Sequence, residues 1–318
     1  MKGNGSLKRK SADITEKIFK YFFLISVGYI IIFQLIFMIT YAFRPSSEIS
    51  DPSVIWISKS LTLQHFKDAF ETMDYAHTFL LTVSIQVASG LVEVLTCSFA
   101  AYAFARFKYF GKNLFFALAM LTIVVPTQML AVPMYLNYAR FDIFGLFGLI
   151  DKITGVYLKP NLLDTGLVFY LPAIFGAGYK SGLFIFIYRQ FFKNLPKELE
   201  EAAWVDGAGP WKTFLKIVIP ASGSALITVL LFSVVWHWND YYLAQMYMSE
   251  NPAFSVALNN FSSNTVMAAL GVDANTAMMM SLPVLLAGCL MYVLPLIIFY
   301  ILIQRKFIAS IATSGIVG

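Results

Sequence analysis

The sequence is poor in charged residues. They make up 13% of its 318 residues, against roughly 25% in soluble domains. Hydrophobic residues make up 58% and aromatic residues 16%, and the mean hydropathy is +0.70. This composition excludes a disordered protein, a small disulfide scaffold and nearly every soluble enzyme. It predicts an all-α integral membrane protein.

Reactive and metal-binding residues are also scarce. The two cysteines, Cys97 and Cys289, lie in apolar runs, which argues against a disulfide or a cysteine metal site. The three histidines show no paired metal-ligand spacing, and no His-Glu-x-x-His motif occurs. Residues 176–181 superficially resemble a phosphate loop, but Tyr179 separates its glycine from Lys180. We therefore predict no catalytic residue, no metal site and no cofactor bound by this chain.

Long charge-poor intervals predict six membrane spans, because a spanning helix needs about 20 mostly apolar residues. The predicted spans are 18–43, 79–105, 114–138, 166–189, 222–246 and 281–303. The charge-free interval before the last span is rich in asparagine and serine, which hydrocarbon penalises. We interpret it as an outer or re-entrant segment, at 247–280.

The distribution of basic residues predicts the orientation. Sixteen of the 23 basic residues lie on the side that contains both termini, so this side is predicted to be cytoplasmic. The remaining segments are a cytoplasmic N-terminal tail (1–17), outer loops (44–78 and 139–165), a cytoplasmic loop (190–221) and a cytoplasmic C-terminal tail (304–318). In the first outer loop, Leu63, Phe66, Phe70 and Met73 recur at helical spacing and predict a surface amphipathic helix.

The cytoplasmic loop at 190–221 has the pattern of a helix–turn–helix. Its first helix begins with three glutamates near the positive helix N-terminus, Gly207 and Gly209 can stop it, and Pro210 suits the start of a second helix. The second helix is predicted to carry one apolar stripe: Trp211, Phe214, Leu215 and Val218. Amphipathicity alone is equally compatible with a hairpin that lies on the membrane and binds no partner.

The spacing of residues in this loop resembles the EAA signature of ABC importer permeases. Glu201-Ala202-Ala203 is followed by Gly207 and then by Ile217-x-Ile219-Pro220, with isoleucine where the family prefers leucine before the proline. The resemblance implies a six-span type I importer permease fold with both termini inside. It also implies that this loop docks on a cytoplasmic ATPase subunit. The implied coupling residues are Glu201, Ala202, Ala203, Asp206, Gly207, Ile217 and Pro220.

Further stretches resemble sugar-importer permeases, the smaller permease of the maltose/maltodextrin type in particular. These stretches are Leu61–Phe66, Ala100–Arg106, Val125-Pro126 through Ile143–Leu146, and Trp238-Asn239-Asp240. The resemblance implies a multi-pass protein of a bacterial cell membrane that is not itself an enzyme. Its implied partners are a second homologous permease, two ATPase subunits that use ATP and magnesium, and an extracytoplasmic solute-binding protein. The C-terminal stretch Thr313–Gly318 is similar to tails that reach the ATPase, but Val317 replaces a lysine frequent there.

Two ionisable residues fall inside predicted spans. Lys180 lies midway along the fourth span beside three glycines, where a helix could break. A charge at a helix centre costs roughly 2.5–3.5 kcal/mol. Lys180 is therefore predicted to line the translocation path, or else to reach the outer surface from a helix break. Glu93 in the second span could pair with Lys180 or be a neutral carboxylic acid.

An aromatic and polar cluster ends the fifth span, at 236–242. Aromatic faces stack on sugar rings, and neighbouring polar groups bind hydroxyls. Trp and Tyr also favour the membrane interface, so an interfacial belt is the alternative. The substrate-path candidates, with Lys180, are Trp236, Trp238, Asn239, Asp240 and Tyr241.

The sequence thus predicts the permease subunit of an ATP-driven, binding-protein-dependent importer for a carbohydrate, an oligosaccharide in particular. Two alternatives remain open. One is a permease of the same type for a non-sugar solute, and the other is an ion-coupled secondary transporter. The latter predicts ionisable residues in several spans and leaves the loop at 190–221 without a role.

Overall fold

The computed structural model describes residues 4–49, 51, 58–143 and 145–314, with side chains over 14–49, 51, 58–143 and 145–308. This part of the chain is helical and contains no strand, as the composition predicted. Residues 315–318 of the C-terminal stretch that resembles ATPase-contacting tails lie outside the described residues.

The helices follow one another in a single series. They are α1 (Asn4–Ala42), α2 (Ser46–Ile49), α3 (Gln64–Thr72), α4 (Tyr75–Leu81), α5 (Ala88–Arg106), α6 (Lys112–Val124), α7 (Thr127–Ala139), α8 (Leu146–Thr154), α9 (Leu167–Ile174), α10 (Ser181–Asn194), α11 (Glu198–Val205), α12 (Pro210–Thr213), α13 (Ile219–Ala221), α14 (Gly223–Trp238), α15 (Tyr242–Tyr247), α16 (Phe254–Asn259), α17 (Ser263–Leu270) and α18 (Ala274–Ser314). The π-helical segments Thr82–Val87 and Phe214–Val218 connect α4 to α5 and α12 to α13.

In the part of the chain that the structure describes, three helical stretches are long and apolar enough to cross a membrane: Ile14–Ala42, Tyr75–Arg106 and Ala274–Ile308. Two bent pairs raise this number to five if each pair forms one span. They are α6 with α7, bent by 103°, and the Pro210–Ala221 stretch with α14, bent by 80°. The α6–α7 bend falls at Val125-Pro126, because proline lacks an N–H and forces the preceding residue out of the helical region.

The predicted fourth span, 166–189, is divided in the structure. It contains α9 and most of α10, separated by residues 175–180. Gly176 and Lys180 have φ values of 62° and 70° in this break, a region that glycine adopts readily and other residues adopt at a cost. The glycines beside Lys180 therefore mark a real helix break.

The chain forms two units, described here separately. The first comprises residues 1–72 and 261–291. In it, Ala42, Ala69, Val284 and Ala287 form a small buried core. The helix predicted in the first outer loop is confirmed as α3. Leu63 and Phe70 are exposed, whereas His65, Asp68 and Ala69 are buried, and the His65 Nε2 lies 2.9 Å from the Arg44 carbonyl oxygen.

Glu48 closes a loop of the first unit. Its carboxylate accepts hydrogen bonds from the hydroxyls of Ser58 (2.6 Å) and Ser60 (2.7 Å), and from the amides of Lys59 (2.9 Å) and Ser60 (3.2 Å). The hydrogen bonds from Ser58 and then Ser60 lower the pKa of Glu48 from 4.5 to about 2. The carboxylate thus holds both ends of the 48–60 loop together.

The second unit comprises residues 73–260 and 292–318 and contains every candidate site residue. One of its cores forms where α5, α10 and α14 pack around buried residues such as Cys97, Phe184, Tyr188 and Val229. Within the π-helical segment Thr82–Val87, Thr82 Oγ1 accepts a hydrogen bond from the Phe254 amide (2.9 Å).

Candidate functional site

A cavity of about 310 Å³ lies in the second unit. Its walls come from α5, α6, α7, α9, α10, α14, α15 and the 175–180 break. Apart from tyrosines, its ionisable lining residues are Glu93, Lys180 and His237. Hydroxyls of Thr122 and Thr127 and the indole of Trp236 also line it. The cavity therefore combines apolar walls with a few polar groups, as small-molecule sites do.

Lys180 stands at the edge of this cavity, where the helix break ends. It occupies the position before the first residue of α10 with φ 70° and ψ 12°, and its side chain is exposed. The Lys180 Nζ lies 5.1 Å from the centre of the Tyr179 ring, in cation–π range. The structure thus places the predicted path lysine on the cavity wall, and it does not pair it with Glu93.

Glu93 pairs instead with His237. The Glu93 Oε2 lies 3.2 Å from the His237 Nε2, and both side chains are buried, at 0% and 4% exposure. The Ser181 hydroxyl donates a short hydrogen bond to Glu93 Oε1, and His237 Nδ1 lies 2.9 Å from the Ser233 carbonyl oxygen. A β-carbon added at Gly178 would lie 3.0 Å from Glu93 Cδ, so the glycine makes room for the carboxyl group.

The aromatic cluster at the end of α14 divides between two environments. Trp236 lines the cavity and stacks on Phe184 and Phe232, with ring centroids 5.8 and 5.2 Å apart. Trp238 is buried in contact with Phe79 and Tyr292, away from the cavity-lining residues. Only part of the predicted cluster therefore reaches the cavity.

The three residues after Trp238 do not line the cavity either. Asn239 Oδ1 accepts a hydrogen bond from Tyr292 (3.1 Å). The buried Asp240 carboxylate accepts one from the Leu243 amide (3.1 Å) at the start of α15. Tyr241 is exposed. In this conformation, Asn239 and Asp240 organise the turn that follows α14.

The helix–turn–helix predicted at 190–221 is confirmed. α11 ends at Val205, Gly207 turns the chain with φ 76°, and Pro210 is the first residue of α12. Of the predicted coupling residues, Ala203 is buried, Ile217 is half-buried, and Glu201, Ala202, Asp206, Gly207 and Pro220 are exposed. Glu201, Ala202, Asp206 and Gly207 lie at or just before the turn, together with the exposed apolar residues Trp204 and Val205.

The single apolar stripe predicted for the second helix of this loop is wrong. Phe214 and Val218 are buried, but Trp211 and Leu215 are 69% and 55% exposed. The reason is the π-helical segment Phe214–Val218, because a π-helix has i→i+5 hydrogen bonds and so shifts the positions that share a face. The ring of Trp211 contacts the ring of Phe99 in α5, with 5.4 Å between the ring centroids, and the rest of the Trp211 side chain is exposed.

Sequence reasoning missed the polar contacts that attach this loop to α5. Glu200 accepts a hydrogen bond from the Tyr102 hydroxyl (2.8 Å) and lies 2.6 Å from the Arg106 Nε. Arg106 Nη2 also donates to the Leu195 carbonyl oxygen (2.7 Å). The i, i+4 spacing of Tyr102 and Arg106 places both on one face of α5, but nothing in the sequence identified Glu200 as their partner.

Comparison with known proteins gives a consistent set of similarities. Residues 94–312 match the family described as "Binding-protein-dependent transport system inner membrane component". The chain is 27% identical to the arabinooligosaccharides transport system permease protein AraQ of Halalkalibacterium halodurans, over 98% of this chain and 100% of that protein. It is 25% identical to the trehalose transport system permease protein SugB of Mycobacterium tuberculosis, over 92% and 94%.

A solved structure has the same fold. It is that of a bacterial ABC transporter involved in the import of the acidic polysaccharide alginate. One of its chains superimposes with a TM-score of 0.67 at 19% sequence identity, over 93% of this chain and 98% of that one.

Proposed function

This chain belongs to the family of binding-protein-dependent transport system inner membrane components, and we propose that it lines the path by which an oligosaccharide enters a bacterial cell. The observation that carries the proposal is that one unit contains both the cavity and the exposed turn at Glu201–Gly207. A movement imposed on the turn by a partner can therefore reach the cavity through α5.

The cavity groups suit a carbohydrate. Lys180 can donate hydrogen bonds to sugar oxygens, the Thr122 hydroxyl can accept them because it already donates to the Ala119 carbonyl oxygen, and the Trp236 ring adds an apolar wall. Trp238, Asn239, Asp240 and Tyr241 join the path only if α14 and α15 move during transport. The names of the relatives AraQ and SugB, which refer to arabinooligosaccharides and trehalose, support this substrate class.

The chain is proposed to act as the membrane part of a larger assembly. A second homologous permease, two ATPase subunits and an extracytoplasmic solute-binding protein complete it, and ATP and magnesium bind to the ATPase rather than to this chain. Glu201, Ala202, Asp206 and Gly207 are exposed at the turn, which suits contact with the ATPase. Closure of the ATPases would press on this turn and rock the helices around the cavity.

The proposed topology has six spans with both termini in the cytoplasm. Three long helices and two bent pairs account for five spans, and α9 with α10 would form the sixth across the 175–180 break. The concentration of 16 of the 23 basic residues beside one set of span ends supports the orientation.

Reconstitution tests this function. The four kinds of subunit are assembled in proteoliposomes, and uptake of labelled arabinotriose, trehalose and maltotriose is measured with ATP or with a non-hydrolysable analogue. We expect uptake of at least one probe to need ATP hydrolysis and the binding protein, and to be insensitive to a protonophore. Uptake that needs a proton gradient but no ATP would support an ion-coupled transporter instead. ATP-dependent uptake of amino acids or phosphate, and of no sugar, would contradict the substrate class alone.

A further inference from the structure

The contact between Glu93 and His237 joins two helices inside the second unit. Glu93 lies on α5 and His237 on α14, and their facing atoms, Oε2 and Nε2, are 3.2 Å apart. Both residues also line the cavity. Charged or polar groups in a membrane interior are expensive unless they are paired, so this contact needs an explanation beyond packing.

The hydrogen bonds of His237 determine how many protons the contact holds. Its Nδ1 lies 2.9 Å from the Ser233 carbonyl oxygen, and a carbonyl oxygen only accepts, so Nδ1 carries a hydrogen. If Nε2 carried none and Glu93 were ionised, two lone pairs would face each other at 3.2 Å. Glu93 Oε2 has no well-aligned hydrogen-bond partner, so the contact is a close approach in which one of the two atoms carries a proton that removes this repulsion. Whichever atom it is bonded to, the pair has no net charge, which suits a buried site.

The same carboxyl group also contacts the helix break beside the cavity. Ser181, the first residue of α10, donates to Glu93 Oε1, and the Gly178 position leaves space for only a hydrogen next to Glu93 Cδ. On the other side, a β-carbon at Gly90 would lie 2.9 Å from His237 Nδ1. The pair thus connects α5, α14 and the segment that carries Lys180.

The other titratable groups around the pair favour its retention of the proton. Asp240 follows His237 by three residues and is buried, so its negative potential opposes the loss of a positive charge. The Tyr179 ring lies 6.1 Å from the imidazole, Cys97 lies one turn farther along α5, and Lys180 is adjacent to Ser181 with its side chain exposed.

We propose that Glu93 and His237 form a one-proton latch that positions the Lys180–Ser181 segment on the cavity wall and is required for transport. Both are positioning residues, and the inference rests on the proposed transport function. The latch works as a neutral contact: Glu93 approaches His237 through Oε2 on one side and accepts a hydrogen bond from Ser181 through Oε1 on the other. Loss of the shared proton at high pH leaves one negative charge in the membrane interior and opens the latch.

Glu93→Gln and Glu93→Ala separate this latch from ordinary packing. The glutamine amide can donate to His237 Nε2 while its carbonyl accepts from Ser181, and its hydrogens do not dissociate. In proteoliposomes with the full set of subunits, we expect E93Q to retain at least a third of wild-type trehalose or arabinotriose uptake at pH 7. E93A should lose at least tenfold. Wild-type uptake should fall between pH 7 and 9.5, whereas E93Q uptake should fall at least threefold less over that range.

Thermal unfolding of the same complexes provides a readout that does not depend on transport. A free imidazole loses its proton near pH 6.5, so above that pH the folded latch holds one more proton than the unfolded chain, and stability falls as pH rises. We expect the Tm of wild type minus that of E93Q to be larger at pH 6 than at pH 9 by about 3 °C or more. If the wild type shows no ATP-dependent uptake at any pH, the proposed function is contradicted. The Tm difference between wild type and E93Q then still tests the latch, because it does not depend on transport. Equal pH dependence of Tm in both proteins, or E93Q uptake as low as that of E93A, overturns the latch.

Discussion

The hydroxyl of Tyr102 donates a 2.8 Å hydrogen bond to the carboxylate of Glu200. This contact joins the C-terminal end of α5 to α11, and Arg106 Nε approaches the same carboxylate to 2.6 Å. The side chains of Arg106 and Glu200 are only 8% and 5% exposed. The same helix, α5, therefore carries Glu93 at the cavity and is attached at its C-terminal end to the loop that is proposed to bind the ATPase.

The neighbouring glutamates 200 and 201 are predicted to respond differently to the same change. Glu200→Gln removes a buried charge that Arg106 and Tyr102 contact, so we expect stability to fall by about 1.5–3 kcal/mol. Glu201→Gln alters an exposed side chain, so stability should stay within about 0.5 kcal/mol while affinity for the ATPase falls. Thermal unfolding of the purified chain and co-purification with the ATPase measure the two effects. Equal loss of stability in both variants would contradict the assigned contacts.

Gly207 and Gly209 form a second matched pair, in the turn between α11 and α12. An added β-carbon meets no atom within 4 Å at either position. Gly207 has φ 76°, which costs other residues roughly 1–2 kcal/mol, whereas Gly209 has an extended backbone with φ −71° and ψ 168°. We expect Gly207→Val to reduce transport-coupled ATPase activity at least tenfold and Gly209→Val to retain at least half. Both complexes should still insert in the membrane. Retained coupling in Gly207→Val would falsify this role of the turn.

Substitutions of Lys180 can distinguish the effect of its backbone conformation on stability from the effect of its side chain on uptake. The left-handed conformation costs lysine roughly 1–2 kcal/mol, and a glycine at this position would avoid that cost. The greater entropy of glycine in the unfolded chain lowers stability by about 0.4–1 kcal/mol and so offsets part of the gain. Lys180→Gly should therefore leave stability within about 1 kcal/mol of wild type, while uptake falls at least tenfold because the cavity loses its ammonium group. Lys180→Arg should retain part of the uptake and Lys180→Met should not. Normal uptake in Lys180→Met would end the idea that this lysine lines the path.

The hydrogen bonds to the Glu48 carboxylate are predicted to be lost only at low pH. Because the pKa of Glu48 is lowered from 4.5 to about 2, its contribution to the loop is fully present above pH 4.5 and disappears as the pH falls through about 2. Amide hydrogen exchange at Lys59 and Ser60, corrected for intrinsic rates, should show constant protection from pH 7 to pH 4. Glu48→Gln should reduce that protection several-fold at pH 7, and Asp51→Asn, which alters the neighbouring contact to Lys59, should reduce it less. Loss of wild-type protection already at pH 4.5 would contradict the lowered pKa.

Local signals in the sequence account for several features of the structure. The glycines at 176–178 indicate where a helix could break, because they act on the backbone of their own neighbourhood. The turn at Gly207 and the start of α12 at Pro210 follow from the same rules. The bend of 103° at Val125-Pro126 corrects the prediction of one helix for the span 114–138. Which face of a helix is buried depends less on adjacent residues. A π-helical segment at Phe214–Val218 was enough to divide the predicted stripe between inside and outside.

The sequence by itself therefore determined the all-helical membrane character, the helix break beside Lys180 and the helix–turn–helix, since each depends on the hydropathy or backbone preference of adjacent residues. Only the tertiary structure decided the partners of the buried polar groups. Glu93 and Ser181 are 88 residues apart, and Tyr102 and Glu200 are 98 apart. Glu93 could have paired with Lys180 by sequence, but helix packing places His237 there. A buried carboxyl group must find a partner, and which partner lies within reach is a property of the packed helices.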